Sequence, residues 1–522
     1  MSSASSEPAA AEKIDIRQVI GFTAMVFGMF MALLDIQIVS ASLAEIQAGL
    51  SASSDEISWV QTSYLIAEVI MIPLSGFLGR LMSTRMLFTI SAIGFTLASL
   101  LCATATSIQE MIVYRALQGF LGGGMIPSVY AAAFTIFPLS KNSIVSPLIG
   151  LVATFAPTIG PTVGGYICHA FSWHWLFLVN LIPGIIVIIV AWRFINFDKG
   201  DPSLLKKFDW SALIFMAVFL GGTEYYLEEG PRKDWLESST IKTVIVISTI
   251  AGVLFFWRTF TSKNRIIDFD AFHNRNFALG SLFSFVMGIG LYGLTYLYPL
   301  YLSEIRGHDT LMIGQTMFVS GLTMFLAAPL AGYLSTKIDL RLMMLIGFGG
   351  FALGTWIVTG LTAEWDFWQI FWPQVLRGTS LIFCMVPINN IALGSLPPNK
   401  LKNASGIFNL LRNLGGAMGL AIINTIIIKR SDFHFHRIAE TLNAGNEQAM
   451  QFLDRLAVRL GTIGNPSDTA ALSQLSLLVR QQATVMAFID AFFILTILFI
   501  VLTTLVLFVN KNTSTNQQPN IH

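Results

Sequence analysis

Three ionisable residues fall inside stretches that are otherwise apolar: Asp35 in "FMALLDIQIVSASL", Glu68 in "SYLIAEVIMIP" and Arg115 in "VYRALQGF". A charge at the centre of a membrane-spanning helix costs around 2.5–3.5 kcal/mol on insertion scales, and such residues face a partner, a cavity or a water path. A carboxyl group in that setting is readily protonated, so substrate and proton can compete for it, protonation releasing the one and deprotonation admitting it. An arginine cannot shed its proton. Arg115 therefore needs a carboxylate or carbonyl groups close by, and Asp35 and Glu68 are the available acids. Each residue also has a purely structural reading: a helix-packing aspartate, a hydrogen-bonding arginine, a glutamate that is only the arginine's partner.

Other chemistry is thinner. Glu224, Tyr225 and Tyr226, followed by Glu228 and Glu229, combine acids with aromatic faces, which suits a lipophilic cation. Tyrosine at a helix end is also an interface anchor, the reading favoured for Tyr225 and Tyr226. His169 and His174 in "CHAFSWHW" lack a nucleophile or metal-ligand companion at a sensible spacing, which argues against a membrane-embedded enzyme and against a metal site. Cys102, Cys168 and Cys384 each sit in an apolar run and read as small hydrophobes. No Gly-Lys dipeptide occurs, so the phosphate loop of an ATP-driven machine is absent and no cofactor is expected. The energy is then expected from an ion gradient or from the substrate itself: one charge moving through 100 mV yields about 2.3 kcal/mol, enough for roughly a fifty-fold gradient.

The elements that must hold these residues are membrane helices. The 522 residues are 54% hydrophobic and only 12% charged, and apolar runs of roughly 20 residues, the length that crosses a bilayer as helix, recur along the chain. About 14 are counted, near 19–43, 57–79, 86–105, 109–133, 143–167, 174–196, 209–229, 240–261, 278–302, 311–335, 340–361, 368–396, 404–428 and 483–509. The first is read as an uncleaved span. With an even number of spans, most basic hinge residues, from Lys13 and Arg17 through Arg80, Arg85, Lys141 and Lys402 to Lys511, fall on one side, while Arg232, Lys233, Lys242 and Arg306 fall on the other. Basic hinges mark the cytoplasm, so both termini are expected there.

The chain also repeats itself. "PLSGFLGRLMSTRML" at 73–87 matches "PLAGYLSTKIDLRLM" at 329–343, and "RALQG" at 115–119 echoes "QVLRG" at 374–378 with Arg and Gln exchanged. Two related bundles with a site at their interface are a transporter architecture.

Four stretches carry a family resemblance: "LLDIQIVSASLAEI" (33–46), "VYRALQGFLGGGMIP" (113–127), "FAPTIGPTVGGYI" (155–167) and "LPPNKLKNASGIFNLLRNLGGAMG" (396–419). Over nearly its whole length the sequence resembles the major facilitator superfamily, in particular its fourteen-spanner drug:proton antiporters of the EmrB/QacA type. The fold so implied is all-α and polytopic: two six-helix bundles plus two extra central helices. The expected division is a cytoplasmic tail 1–18, an N-terminal bundle 19–196, two linking helices 197–265, five helices of the C-terminal bundle 266–428, an outer loop 429–482, a last helix 483–509 and a tail 510–522.

The function implied by the resemblance is proton-driven efflux of lipophilic drugs or toxins across a bacterial inner membrane, by alternating access. Asp35 is then the coupling acid, tuned by Arg115 with Gln118 and Gly119; the family pattern does not demand an acid at Glu68, which reads from its position as a second proton site, a cation-attracting group or a plain partner of the arginine. Pro157, Gly160, Pro161, Gly164 and Gly165 form the antiporter motif that closes the leak path. Arg80, Arg85 and Arg412 belong to gating, and Tyr64, Glu224, Tyr292, Tyr296, Asn389, Asn390 and Phe408 are cavity candidates. One position departs: the family's acid after Gly-x-Leu is Gly79 here, which puts the charge relay of that loop in question. Asp490 opens the last span and is read as its cap. In 429–482, Met450, Leu453, Ala457 and Leu460 share a helical face. That face suits either the protein's own surface or a periplasmic adaptor (EmrA-like) joined to an outer-membrane channel (TolC-like). Rival functions are export of one dedicated metabolite, lipid or siderophore, and a non-transporting sensor.

Overall fold

A computed structural model describes residues 15–137, 142–262, 265–442, 447–459 and 466–509. Lys13, Lys141, Leu460 and Lys511 lie outside the described residues, as do both expected tails apart from residues 15–18. No strand occurs among the described residues. Among the described residues, fourteen helices are long and apolar enough to cross a membrane. Spans 1 to 6 are Ile16–Ala41, Glu56–Met82, Thr84–Ala103, Ile108–Ile136, Ile144–Ala170 and Trp175–Phe194. Spans 7 and 8 are Trp210–Glu229 and Ser239–Thr261. Spans 9 to 14 are Arg275–Glu304, Leu311–Lys337, Leu340–Val358, Phe367–Ala392, Asn399–Thr441 and Ala470–Phe508.

Local sequence sets many of the ends. Ser53 and Glu56 form a capping box before span 2, Asp209 caps span 7 through the Ala212 N–H, and Asp309 caps the helix of span 10 through Met312. The Asp209 carboxylate also binds Arg258 at 2.8 Å, tying span 7 to span 8.

The packing obeys the repeat. Spans 1 to 6 form one bundle and spans 9 to 14 the other. The seam between them is made by span 5 against span 10 and by span 13 against span 2, pairs that correspond to each other when the halves are exchanged. Spans 7 and 8 pack together outside the bundles, and span 7 touches spans 2 and 13. Exposed apolar side chains such as Ile182, Trp192, Val253, Trp257, Leu326 and Trp372 ring the outside, where lipid covers them.

Glycines let the helices of the seam and bundle approach closely. A Cβ at Gly164 would lie 2.9 Å from the Ile38 carbonyl oxygen, and one at Gly76 would lie 2.9 Å from the Lys402 carbonyl oxygen. Span 5 belongs to a continuous helix, Asn142–Ala170, that carries Pro147, Pro157 and Pro161. The missing ladder bonds at these prolines are tolerated because neighbouring helices enclose the segment.

Two expectations are corrected. The segment 429–482 is largely helical: span 13 runs on to Thr441, a short helix covers Glu447–Arg459, and the helix of span 14 starts at Pro466. Hydropathy marks only the part of a helix inside the membrane, so the polar continuations read as a loop. Asp490 is not a cap. It lies well inside the helix Pro466–Leu505 and accepts from Arg430 Nε at 2.6 Å, with His434 Nε2 at 2.8 Å, bonding span 14 to span 13.

Candidate functional site

Arg115 and Gln118 stand three residues apart, so both project from one face of span 4. They meet Asp35 of span 1. Arg115 Nη1 donates to Asp35 Oδ2 at 2.7 Å, Gln118 Nε2 donates to Oδ1 at 3.1 Å, and Asn180 Nδ2 of span 6 donates to Oδ1 at 2.7 Å. Both side chains of the ion pair are fully buried. The guanidinium also donates from Nε to the Val60 carbonyl at 3.1 Å and lies 4.2 Å from the centre of the Tyr64 ring. Ser99 of span 3 accepts from Gln118 at 2.8 Å. Five spans converge on one carboxylate, and Gly119 packs against the Tyr64 backbone. Glu68 is not the partner of Arg115.

The second half repeats this frame without the acid. Arg377 of span 12 is buried, and its Nη2 donates to Thr295 Oγ1 of span 9 at 2.5 Å, its Nη1 to Gln374 Oε1 at 3.3 Å. Thr295 stands on the first helix of its half, as Asp35 does on the first helix of the other.

Between the halves lies a cavity of about 460 Å³. Span 1 contributes Ile36, Gln37 and Ser40; span 2 contributes Gln61, Leu65, Glu68 and Val69; span 5 contributes Pro161. Glu224 and Glu228 come from span 7, Tyr292, Thr295 and Tyr296 from span 9, and Asn413, Ala417 and Leu420 from span 13. The wall combines apolar side chains with polar and acidic ones that converge on the same space, as in a small-molecule site. Glu68 is 2% exposed, and its Oε1 has no hydrogen-bond partner. Among the described residues no group of three His, Cys, Asp or Glu side chains is placed to hold a metal ion.

Of the residues singled out from sequence, Glu68, Pro161, Glu224, Glu228, Tyr292 and Tyr296 line this cavity. Asp35 does not, although its neighbours Ile36 and Gln37 do. Gly160 packs against Gln37 and Gly164 against Ile38, so the span 5 motif seats span 1, with Pro157 and Gly165 on the same helix. Tyr64, Asn389, Asn390 and Phe408 are buried outside the lining: Tyr64 lies under Arg115, Asn390 bonds Ser146 across the seam, and Phe408 packs on Tyr130. Arg412 of span 13 crosses the seam to Tyr130 Oη at 2.6 Å and also binds Asn409 at 2.6 Å. Tyr225 is buried rather than an interface anchor: it stacks on Trp59 with centroids 5.4 Å apart and accepts from Lys233 Nζ at 3.1 Å.

The cavity lies toward the end of the molecule where span 1 finishes and span 2 begins. The opposite end, with the basic hinges, is closed. Lys402 at the start of span 13 donates to the Gly79 carbonyl at 3.0 Å and pairs with Asp198, in the link that follows span 6. Asp198 in turn accepts from the Thr84 N–H at 2.9 Å and from its hydroxyl at 2.8 Å. Arg80 lies 6.0 Å from the Phe77 ring centre and Arg85 5.1 Å from that of Trp192.

Sequence reasoning missed Asn180, Gln37, Gln61, Thr295, Asn413 and Asp198. Asn180 carried a signal, a lone amide in the apolar run "WLFLVNLIP". The others look like ordinary polar interruptions until the helices are packed.

The chain is 41% identical over 490 residues to the "Colistin resistance protein EmrB" of Acinetobacter baumannii, covering 94% of this chain and 96% of the relative. It is 30% identical over 490 residues to the "Probable multidrug resistance protein EmrY" of Escherichia coli, covering 93% and 94%. The crystal structure of the human organic anion transporter MFSD10 (TETRAN) superposes with a TM-score of 0.55 at 12% identity, over 92% of this chain and 99% of that one, a likeness of fold alone. Residues 25–420 match the Major Facilitator Superfamily model, and with two bundles, fourteen spans and a cavity at the seam, this chain is a member of that superfamily.

Proposed function

We propose that this chain exports lipophilic small molecules across a bacterial inner membrane by alternating access, driven by protons moving the opposite way. The observation that carries the proposal is Glu68: a buried acid without a hydrogen-bonding partner on one oxygen, inside a cavity shared by both halves. Such an acid can bind a proton from the side of entry and lose it on the other. Cargo and proton then exclude each other from one space. Relatives named for multidrug and colistin resistance support export as the direction.

Asp35 and Arg115 take a different part in this account. Their pair is closed to the cavity and tied to five spans, so it acts as the internal brace that a proton or a helix movement must break. With basic hinges in the cytoplasm, both termini are cytoplasmic and the cavity lies toward the outer face, while Lys402 and Asp198 hold the cytoplasmic end shut. The short helix Glu447–Arg459 exposes Met450 and Phe452, and the first turns of span 14 expose Leu472 and Leu477. That surface is the proposed seat of a periplasmic adaptor.

The test is purified full-length protein in proteoliposomes with an imposed pH gradient and ethidium as a lipophilic probe. Gradient-driven ethidium movement that stops when a protonophore collapses the gradient is expected. Movement indifferent to the gradient contradicts proton coupling.

A further inference from the structure

Span 7 lies outside the two repeats, yet it places two acids in the cavity. Glu224 and Glu228 are one helical turn apart on a shared face, and both line the same space as Glu68 of span 2. Neither makes a hydrogen bond or ion pair among the described residues. The nearby cations are engaged elsewhere: Arg232 and Lys233 bind Glu229 at 2.7 and 3.3 Å.

We propose that Glu224 and Glu228 form, with Glu68, a carboxylate cluster that holds and exchanges protons in the cargo cavity, making span 7 a working part of coupling. The inference rests on the export reading above and extends it to an element that the repeat does not require. Like charges in one low-dielectric space cannot all be ionised together, so protons reside in the cluster and leave it stepwise as shared properties of the group. When a cationic cargo enters, carboxyl O–H bonds break, the protons pass to water at the open end, and the carboxylates face the cargo's charge.

The groups that face the cluster are few. Tyr292 and Tyr296 come from span 9, with Tyr296 bonded to Asn424 at 3.2 Å. The buried arginines of the neighbouring helices are engaged elsewhere, Arg412 of span 13 with Tyr130 and Asn409 and Arg115 of span 4 with Asp35. Span 8 offers Ser248, which contacts Thr223, and its Lys242 is exposed. No basic side chain neutralises Glu224 or Glu228 directly among the described residues.

Two measurements on the full chain test this. In weakly buffered detergent solution, ethidium binding should release at least two protons per molecule from the wild type. The E224Q/E228Q double variant should release fewer, and E224D/E228D should restore the count. An unchanged count in E224Q/E228Q, with loss in E68Q alone, overturns the cluster and leaves the export reading standing. If the wild type releases none, the proton-coupling reading fails instead. The second measurement needs no ligand: in nanodiscs at neutral pH, the infrared band of protonated carboxyls should lose intensity in E224Q/E228Q. A band identical to that of the wild type overturns the proposal.

Discussion

Lys402 and Asp198 meet across the seam at the closed end of the molecule, and the carbonyl of Gly79 completes the contact. The acid that the resemblance leads one to expect at position 79 is missing, and Asp198 brings a carboxylate to the same lysine from a different segment. A Cβ at Gly79 would meet Leu87 and the Lys402 stem at ordinary contact distances, 3.6 and 3.8 Å. An aspartate therefore fits there.

Breaking this contact should open the closed end. D198N is expected to move the population of conformers by about tenfold or more, since about 1.4 kcal/mol is tenfold in an equilibrium and a charge-assisted hydrogen bond contributes about 1.5–3 kcal/mol. Spin labels at Met86 and Asn399, read by pulsed dipolar spectroscopy, should report a longer distance in D198N. Adding G79D should return it toward the wild-type value. A G79D/D198N distance identical to that of D198N contradicts the replacement of one acid by the other.

The Asp35 and Arg115 pair predicts non-additive stability. Removing one member leaves a buried charge uncompensated, at about 3–5 kcal/mol. R115M should therefore lower the melting temperature more than D35N/R115M does, because the double variant leaves no ion behind. Melts of detergent-solubilised protein decide this, and equal losses would contradict an ion pair at the brace.

Asp366 gives a pH dependence outside the membrane. The Phe367 backbone N–H at 2.7 Å, with Arg306 and His308 beside it, holds its carboxyl below the usual carboxylate range. A depressed acid contributes stability that is complete above the unfolded value, about 3.9, and lost as pH falls through the folded value. D366N should therefore melt below wild type at pH 7, and the difference should shrink as the pH is lowered below about 4. A difference that does not change with pH would rule this out.

Much of the fold is visible in the sequence because a bilayer reduces it to one variable. An apolar run of the right length has a single outcome, and the fourteen expected runs coincide with the fourteen spans to within a few residues except where spans 13 and 14 leave the membrane. Asp35 and Arg115 were legible for the same reason: a charge among leucines and isoleucines stands out. The cavity was not. Lipid-facing and cavity-facing positions are both apolar, so hydropathy does not separate Leu65 or Leu420 from Leu326. Partners far apart in the chain, such as Asp198 with Lys402 or Asp490 with Arg430, depend on packing that no local pattern encodes.

Whether Glu68 couples the proton to the cargo is decided by proteoliposomes carrying wild type, E68Q or D35N and loaded with ethidium, under an imposed pH gradient. Wild type should show gradient-driven transport. E68Q should still exchange ethidium down its own gradient but no longer respond to pH. An E68Q variant that accumulates ethidium as steeply with the pH gradient as wild type, while D35N does not, would contradict coupling by Glu68 and return that role to Asp35.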